Sequence, residues 1–383
     1  MCNNNSMKRI GIFGGTFSPV HNEHLNLAKS AIEELSLDKL YIIPTFMPPH
    51  KSVQPINGYA RLEMLKLAFS GDKAVEVSDY ELQKGGKSYT YLTISHFSEL
   101  FPKSELFFIV GGDMLTDFKS WKNPEIILEK CNLAVFDRED FFTDYAKEQE
   151  MFKQRFNKSF IKLNYNGKSV SSTRIRIYSM LGLSLNGMVD ESVEKYITDN
   201  NLYPAPPYAQ LLKKVLTEKR LIHTAEVAVC ALSKVKELGL DEYKVLTACL
   251  LHDVAKYLNP KDFSEFTLPE GVPKPVVHAF LGAYFVEKVL NIKDAEIIDA
   301  IRYHTSGKAN MSELGKLVFV ADMVERGRDY QGVEKLRELF KKDFERCFIE
   351  CLKEELQHLI NKKSVIYEET INAYEYYVKG ETK

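Results

Sequence analysis

The chain has 383 residues, 45% hydrophobic and 27% charged, a composition typical of a globular protein of two or three domains rather than a disordered chain. Its 51 basic and 53 acidic residues give a net charge of −2, which excludes a dedicated nucleic-acid-binding protein. No apolar run approaches the roughly 20 residues that cross a membrane, and the start lacks the apolar stretch of a signal peptide. The six cysteines are scattered, which is typical of reduced thiols. We therefore predict a cytoplasmic protein with no membrane or nucleic-acid partner.

Short apolar runs alternate with amphipathic stretches through the first half of the chain. The runs predict β-strands because they are rich in Ile, Val and Phe, and the stretches predict helices because their apolar residues recur every 3.6 residues. The predicted strands are Lys8–Phe13, Lys39–Ile43, Ala74–Val77, Glu105–Val110, Asn132–Phe136 and Phe160–Leu163. The predicted helices are Glu23–Leu35, Tyr59–Phe69, Tyr91–Leu100, Ser172–Met180 and Asp190–Asn200. This alternation favours an α/β fold with a doubly wound parallel sheet, as in Rossmann-like proteins.

The pattern changes at residues 204–207, where three of four residues are proline. Proline does not continue a helix, so this segment is predicted to be a linker between a domain at 7–203 and a domain at 208–378. The second domain is predicted to be all-α because long amphipathic segments follow one another. These segments are Tyr208–Thr217, Leu221–Leu238, Tyr243–Lys256, Pro275–Leu290, Ala295–Tyr303, Ser312–Glu325 and Lys341–Ile360.

The first strand leads into a glycine-rich turn that ends in two histidines. Gly11–His24 is GIFGGTFSPVHNEH. Glycines after a first strand let the backbone approach phosphates, and the N-terminus of the next helix presents amide donors to them. His21 and His24 share one face of that predicted helix, so both could meet a phosphate held in the turn. A metal-binding pair and two surface histidines are the alternatives at this point.

These residues resemble the signature of the nucleotidyltransferase superfamily, Gly-x-Phe-Asp-Pro-x-His-x-Gly-His, with Ser18 and Glu23 in place of its Asp and its second Gly. Other segments resemble bacterial nicotinate-nucleotide adenylyltransferases in particular. They are Pro44–Lys51, Gly85–Thr90, Gly111–Met114 with Trp121, and Val170–Arg176. The resemblance implies adenylyl transfer from ATP to nicotinate mononucleotide, a step of NAD biosynthesis that also yields pyrophosphate. Transferases for pantetheine phosphate or nicotinamide mononucleotide are the nearest alternatives.

The resemblance also implies a role for each matching residue. His21, His24 and Lys51 would be catalytic, acting on the phosphates and the charged transition state. The implied ATP-binding residues are Gly14, Gly15, Thr16, Phe17, Asp113, Ser172, Thr173 and Arg176. The implied nicotinate mononucleotide-binding residues are Lys51, Thr90 and Trp121. A plain helix cap stays open for Asp113 and core packing for Trp121, and Mg²⁺ is expected to accompany ATP.

Four histidines and two aspartates fall on separate predicted helices or helix ends of the second half. They are His223, His252, Asp253, His278, His304 and Asp322. Helical domains build metal sites from side chains that converge from facing helices, and imidazoles with carboxylates suit iron, manganese or zinc. The sequence therefore predicts a metal site, with unrelated core histidines as the alternative.

This order of residues resembles the HD-domain phosphohydrolase superfamily, and the flanking residues resemble its YqeK-like members. The resemblance implies two metal ions bridged by Asp253. The expected metal is iron, with manganese or another metal as the alternative. The implied reaction is the symmetrical hydrolysis of diadenosine tetraphosphate to two ADP. Asp253 and Lys256 would be its catalytic residues. An HD domain that acts on another nucleotide, or that only senses one, is the alternative.

Overall fold

The computed structural model describes residues 7–47, 56–137, 143–167 and 170–380. The chain divides into two compact units. The first comprises Met1–Arg176 and Ser184–Tyr203, and the second comprises Ile177–Leu183 and Pro204–Lys383. The main division therefore falls at the start of the proline-rich segment, and Ile177–Leu183 groups with the helical unit.

The first unit is built on a parallel six-stranded sheet with the order β3-β2-β1-β4-β5-β6. Its strands are β1 Lys8–Gly15, β2 Lys39–Pro44, β3 Val75–Val77, β4 Ser104–Gly111, β5 Asn132–Asp137 and β6 Ile161–Asn166. The strand order reverses between β1 and β4, which both pair in parallel. The predicted doubly wound sheet is confirmed. In such sheets ligands bind beyond the carboxyl ends of the strands at this reversal point.

Helices follow the strands of the first unit. They are α1 Asn22–Glu34, α2 Gly58–Ala68, α3 Tyr80–Lys84, α4 Thr90–Leu100, α5 Leu115–Phe118, α6 Pro124–Lys130, α7 Tyr145–Phe156, α8 Ser172–Leu181 and α9 Glu191–Asp199. The sequence analysis did not predict α3, α5, α6 or α7. The first three are short, and α7 is mostly polar, with Phe152 as its fully buried apolar residue.

The second unit is helical. Its remaining helices are α10 Ala209–Val215, α11 Glu218–Leu232, α12 Val235–Leu238, α13 Glu242–Leu251, α14 Val277–Lys288, α15 Ala295–Tyr303, α16 Glu313–Val324, α17 Val333–Lys342, α18 Phe344–Asn361 and α19 Glu368–Tyr374. Helices α11, α13, α14, α15 and α16 bury nearly continuous apolar faces, so they form the core of this unit. Among the described residues, no helix combines the length and the apolar character needed to cross a membrane.

Two helices predicted as continuous are broken in the structure, so those predictions were wrong. The segment predicted at Lys341–Ile360 divides at Asp343, whose extended backbone ends α17 and whose carboxylate accepts from the amide of Arg346 to begin α18. The segment predicted at Leu221–Leu238 divides after Leu232, where the Ser233 hydroxyl donates to the carbonyl of Cys230. In both places a short polar side chain bonds to the local backbone and competes with the helix.

Candidate functional site

The glycine-rich turn lies at the carboxyl end of β1, beside the reversal point of the sheet. A side chain at Gly15 would meet the ring of Phe17 at 2.9–3.3 Å, so any larger residue here would have to displace that ring. Phe17 itself is buried and has a positive φ of 48°. The turn is thus folded tightly over the strand end, and the chain enters α1 with its backbone amides beside the turn.

His21 and His24 are held together at the start of α1. Their ring centroids lie 3.7 Å apart in a stacked arrangement. The amide of His21 donates to Nδ1 of His24 at 3.2 Å, and the amide of His24 donates to the carbonyl of His21 at 2.8 Å. A neutral His24 that accepts at Nδ1 carries its proton on Nε2, which can then donate to a phosphate oxygen. The two predicted histidines are therefore close together and fixed by the helix start.

The start of α8 lies against the same turn. The Ser172 hydroxyl donates to the carbonyl of Pro19 at 2.8 Å, and Nη1 of Arg176 donates to the carbonyl of Ser18 at 2.9 Å. Nη2 of Arg176 also contacts the Thr173 hydroxyl at 3.1 Å. The structure thus brings the predicted phosphate-binding residues of α8 together with the histidine turn.

Both residues that depart from the superfamily signature contact other polar side chains of the first unit. The Ser18 hydroxyl lies 3.3 Å from the Tyr203 hydroxyl. The carboxylate of Glu23 accepts from the Tyr165 hydroxyl at 2.6 Å and from the Asn26 side chain at 3.2 Å. Burial and then the hydrogen bond to Glu23 raise the pKa of Tyr165. Glu23 therefore serves as a hydrogen-bond acceptor between α1 and β6.

The remaining predicted residues of the first unit lie in three other segments. Asp113 follows β4 in a short 3₁₀ turn at the carboxyl edge of the sheet. Trp121 packs against Phe118 with ring centroids 5.1 Å apart, and its buried Nε1 has no hydrogen-bond partner among the described residues. Thr90 is the first residue of α4. Lys51 lies outside the described residues.

The segments of Trp121 and Thr90 are neighbours. Nζ of Lys122 lies 4.6 Å from the centroid of the Tyr89 ring, which joins the residue after Trp121 to the residue before Thr90. The unpartnered indole nitrogen is consistent with a polar ligand at this place.

Arg61 is a structural residue of this site that the sequence analysis missed. It is only 1% exposed, and its guanidinium donates to three carbonyls: Thr16 at 2.7 Å, Thr45 at 2.6 Å and Ile56 at 3.1 Å. Burial lowers the pKa of Arg61 to about 10. One buried cation thus ties the glycine-rich turn to both ends of the segment that follows β2.

Arg61→Lys should lower the free energy of unfolding of the first unit by about 2 kcal/mol, because lysine cannot reach all three carbonyls and each lost charged hydrogen bond costs roughly 1–3 kcal/mol. Urea unfolding of the full chain measures the effect, with the helical unit as an internal reference. Lys66→Met on the exposed face of the same helix is the control. An unchanged unfolding midpoint for Arg61→Lys would contradict the role given to the guanidinium.

The second unit brings together all six predicted metal ligands. His223, His278 and Asp322 come from α11, α14 and α16, while His252 and His304 lie at the C-terminal ends of α13 and α15 and Asp253 follows His252. The ligand atoms of His223, His252 and Asp322 form one group, and those of His252, Asp253 and His304 form a second, each within 4.8 Å. Nε2 of His278 lies 3.1 Å from Oδ1 of Asp253. The cluster is buried except at the edge near His223 and Asp322.

In three of these histidines, Nδ1 already contacts an oxygen atom of the protein. Nδ1 of His252 lies 2.6 Å from the carbonyl of Cys249, and Nδ1 of His304 lies 2.8 Å from the carbonyl of Ile301. Nδ1 of His223 lies 3.0 Å from the carboxylate of Glu325. Contacts of this kind fix the tautomer and leave Nε2 as the ligand atom. Glu325, which is 2% exposed, is a supporting residue that the sequence analysis did not assign.

The pKa shifts of four of these residues favour the protonation state that binds metal. Burial by itself would raise the pKa of both aspartates, but His252 beside Asp253 and His223 beside Asp322 hold the two pKa values well below the usual range. Burial lowers the pKa of His252, and it lowers that of His278 to about 4. His223 is the exception: burial acts to lower its pKa, but the adjacent carboxylates of Asp322 and Glu325 raise it overall.

Buried atoms in the cluster lack suitable partners. Nε2 of His223, Nε2 of His252 and Oδ1 of Asp253 make no hydrogen bond of acceptable geometry among the described residues. Buried polar groups are normally satisfied, and ionised carboxylates with neutral imidazoles are the forms that bind metal. The residues present therefore fit a site that binds divalent metal ions.

Three cations surround the two carboxylates. Nη1 of Arg220 lies 2.8 Å from Oδ2 of Asp253, Nζ of Lys256 lies 3.4 Å from its Oδ1, and Arg328 pairs with Asp322. Lys256 was predicted at this site, whereas Arg220 was missed. These side chains supply the positive charge that a polyphosphate would need beside the carboxylates.

Family comparisons match the two units separately. The cytidylyltransferase-like family model matches residues 12–177, and the HD domain family model matches residues 220–327. The chain thus combines a nucleotidyltransferase domain with an HD domain.

Relatives extend this result. A protein of Clostridium tetani named probable nicotinate-nucleotide adenylyltransferase is 40% identical over 199 residues, which are 51% of this chain and 100% of the relative. A protein of Mycoplasma genitalium named probable nicotinate-nucleotide adenylyltransferase/Ap4A hydrolase is 29% identical over 90% of this chain and 97% of the relative. A crystal structure of a predicted HD superfamily hydrolase involved in NAD metabolism, from Clostridium acetobutylicum, is 27% identical over 45% of this chain and 95% of that chain, with a TM-score of 0.41. The chain belongs to the nicotinate-nucleotide adenylyltransferase family and carries an HD domain after the transferase domain.

Proposed function

We propose that the first unit transfers the adenylyl group of ATP to nicotinate mononucleotide, giving nicotinate adenine dinucleotide and pyrophosphate. The observation that carries this proposal is the stacked pair of His21 and His24 beside the start of α8. Family membership supports it, since relatives of the transferase half carry this activity in their names.

The chemistry needs positioning and charge neutralisation rather than a covalent nucleophile. An oxygen of the mononucleotide phosphate attacks the α-phosphorus of ATP, the bond between the α-phosphorus and the bridging oxygen breaks, and pyrophosphate leaves. Nε2 of His24 donates to the phosphate oxygens on which charge develops. Ser172, Thr173 and Arg176 hold the β- and γ-phosphates at the start of α8. Lys51 and the amides of Gly14–Phe17 add positive charge and donors, and Mg²⁺ enters with ATP.

The segments of Asp113, Trp121 and Thr90 would receive the ribose of ATP and the nicotinate group. Asp113 at the end of β4 receives the ribose of ATP. Trp121 stacks near the nicotinate ring, and the amides around Thr90 receive the nicotinate carboxylate.

The transferase should use nicotinate mononucleotide at least about tenfold better than nicotinamide mononucleotide, measured as kcat/KM. The reason is that donors placed for a carboxylate lose a charge-assisted hydrogen bond when an uncharged amide takes its place. Product formation by the full chain with ATP and Mg²⁺ measures both substrates. Equal efficiencies would remove the carboxylate from the specificity of the site.

We propose that the second unit hydrolyses diadenosine tetraphosphate symmetrically to two ADP. The observation that carries this proposal is the convergence of four histidines and two aspartates from five helices and helix ends, with buried ligand atoms that make no hydrogen bond of acceptable geometry among the described residues. His223, His252 and Asp322 would hold one metal ion and His278, His304 and Asp253 the other, with Asp253 bridging the two. Iron is the favoured metal, and manganese is the next choice.

Divalent ions held by these residues would supply an activated water and would stabilise the charge on the phosphate and its leaving group. The residues of the chain do the rest. Glu325 and the two backbone carbonyls keep the imidazoles in the ligating tautomer. Arg220, Lys256 and Arg328 neutralise the polyphosphate, and their ion pairs with the aspartates support this role because they keep the three cations beside the cluster.

Product analysis tests this second activity. Incubation of the full chain with diadenosine tetraphosphate and added metal should yield ADP alone. AMP with ATP would show asymmetric cleavage and overturn the assignment. Binding without turnover under the same conditions would favour the alternative, in which this domain senses a nucleotide.

A further inference from the structure

Two loops meet at the carboxyl edge of the first unit, next to the segment proposed to receive nicotinate. One follows β2, and the other precedes α4. The amide of Ser88 donates to the carbonyl of Met47 at 2.9 Å, and the amide of Phe46 donates to the Ser88 hydroxyl oxygen at 2.9 Å. Met47 and Lys87 also form an isolated parallel β-bridge. Ser88 therefore joins the two loops through both its backbone and its side chain.

A buried carboxylate lies behind Ser88. Glu81, on α3, is 7% exposed, and its Oε1 accepts from the Thr93 hydroxyl at 2.6 Å. Glu81, Ser88 and Thr93 line one small cavity, and Oε2 of Glu81 makes no hydrogen bond of acceptable geometry among the described residues. Because the Ser88 oxygen accepts from the amide of Phe46, the hydroxyl proton can be directed toward this carboxylate oxygen. Burial raises the pKa of Glu81, and the two hydroxyl donors offset part of that shift.

Core packing alone does not explain why a carboxyl group is buried at position 81. An apolar side chain would fill the same space without the cost of burying a carboxyl group. Thr93 lies in the first turn of α4, whereas Ser88 lies in the loop before the helix. Glu81 is thus bonded to the first turn of α4 and lies beside the loop that precedes this helix, and Thr90 lies between Ser88 and Thr93 in the sequence.

We propose that Glu81 is a positioning residue for the nicotinate nucleotide: through Ser88 and Thr93 it holds the amides around Thr90 in the arrangement that receives the nicotinate carboxylate. This inference rests on the proposed transferase function. It assigns Glu81 a role in binding one substrate and no role in the transfer step.

The test is a double-mutant cycle in the full chain. Glu81→Ala should raise KM for nicotinate mononucleotide at least about tenfold, with KM for ATP and kcat changed less than about threefold. Ser88→Ala should act in the same direction. The double variant should be no worse than Glu81→Ala, because residues that act through one another are not additive.

Two controls separate positioning from general destabilisation. Glu81→Gln keeps an acceptor oxygen of the same reach, so it should recover part of the lost affinity. Val193→Ala removes buried volume from α9, which carries no predicted site residue, and should leave both KM values unchanged. Thermal unfolding of every variant shows whether Glu81→Ala and Val193→Ala are destabilised to a similar degree.

Calorimetric binding of nicotinate mononucleotide is measured beside turnover. Absence of product from the wild-type chain would refute the transferase function, whereas loss of nucleotide affinity on Glu81→Ala would still support the positioning role. Wild-type turnover with equal rises in both KM values, with additive effects, or with the same defect in Val193→Ala would overturn the positioning role alone. Failure of the wild-type chain to bind the nucleotide would overturn both.

Discussion

Asp253→Ala should prevent the helical unit from holding either of the two proposed metal ions and should lower hydrolysis of diadenosine tetraphosphate by at least about 100-fold. The reason is the central place of this carboxylate. Its oxygens lie 3.1 Å from His278, 3.5 Å from His252 and 3.6 Å from His304, so of the two aspartates in the cluster it is the one near both proposed ligand groups. Metal analysis of the purified full chain, together with product analysis, measures the result.

Two further variants make this expectation specific. His278→Ala removes a ligand from one ion, so about one equivalent of metal should remain. Asp262→Ala changes an exposed aspartate a few residues beyond the cluster and should retain all of the metal. Adenylyl transfer should be unaffected in each variant. A full complement of metal in Asp253→Ala would refute the bridging role, and one ion per wild-type chain would refute the dinuclear site.

The fold was largely predictable because its signals are local. Parallel strands buried on both faces are short apolar runs, and the predicted β1, β2 and β4 differ from the observed strands by at most two residues at either end. Helix α7 was missed because most of its residues are polar and few are buried. The break at Asp343 was missed because it depends on a single cap inside a continuous amphipathic pattern.

Site residues were predictable where their residue type is rare in the chain, and they were missed where their residue type is common. Histidines are few, so their spacing in the sequence pointed to His21, His24 and the metal cluster. Arg61 and Glu81 look like ordinary charged residues of exposed helices, and their roles depend on which carbonyls and hydroxyls the fold brings to them. Glu325 contacts a residue 102 positions away. Contacts of this kind leave no periodic signal.

The transferase half makes an equally sharp prediction at His24. Replacing this histidine with alanine should lower kcat for adenylyl transfer by about 10²–10³-fold, the range found when one preorganised donor to a transition-state charge is removed. KM for both substrates should change little, because the donor gains most of its strength as charge develops on the phosphates. Hydrolysis of diadenosine tetraphosphate by the same chain gives an internal reference.

The loss should not come from unfolding. The His24 ring packs against Phe17 and stacks on His21. Its hydrogen bond with the His21 amide is only one of several interactions at the start of α1. The thermal midpoint of the first unit should therefore fall by only a few degrees. His96→Ala is the matched control, since that ring stacks on Tyr80 away from the turn and its loss should leave kcat unchanged. Near-normal turnover by His24→Ala would exclude Nε2 as a donor to the transferred phosphate and leave that charge to His21, Lys51 and the backbone amides.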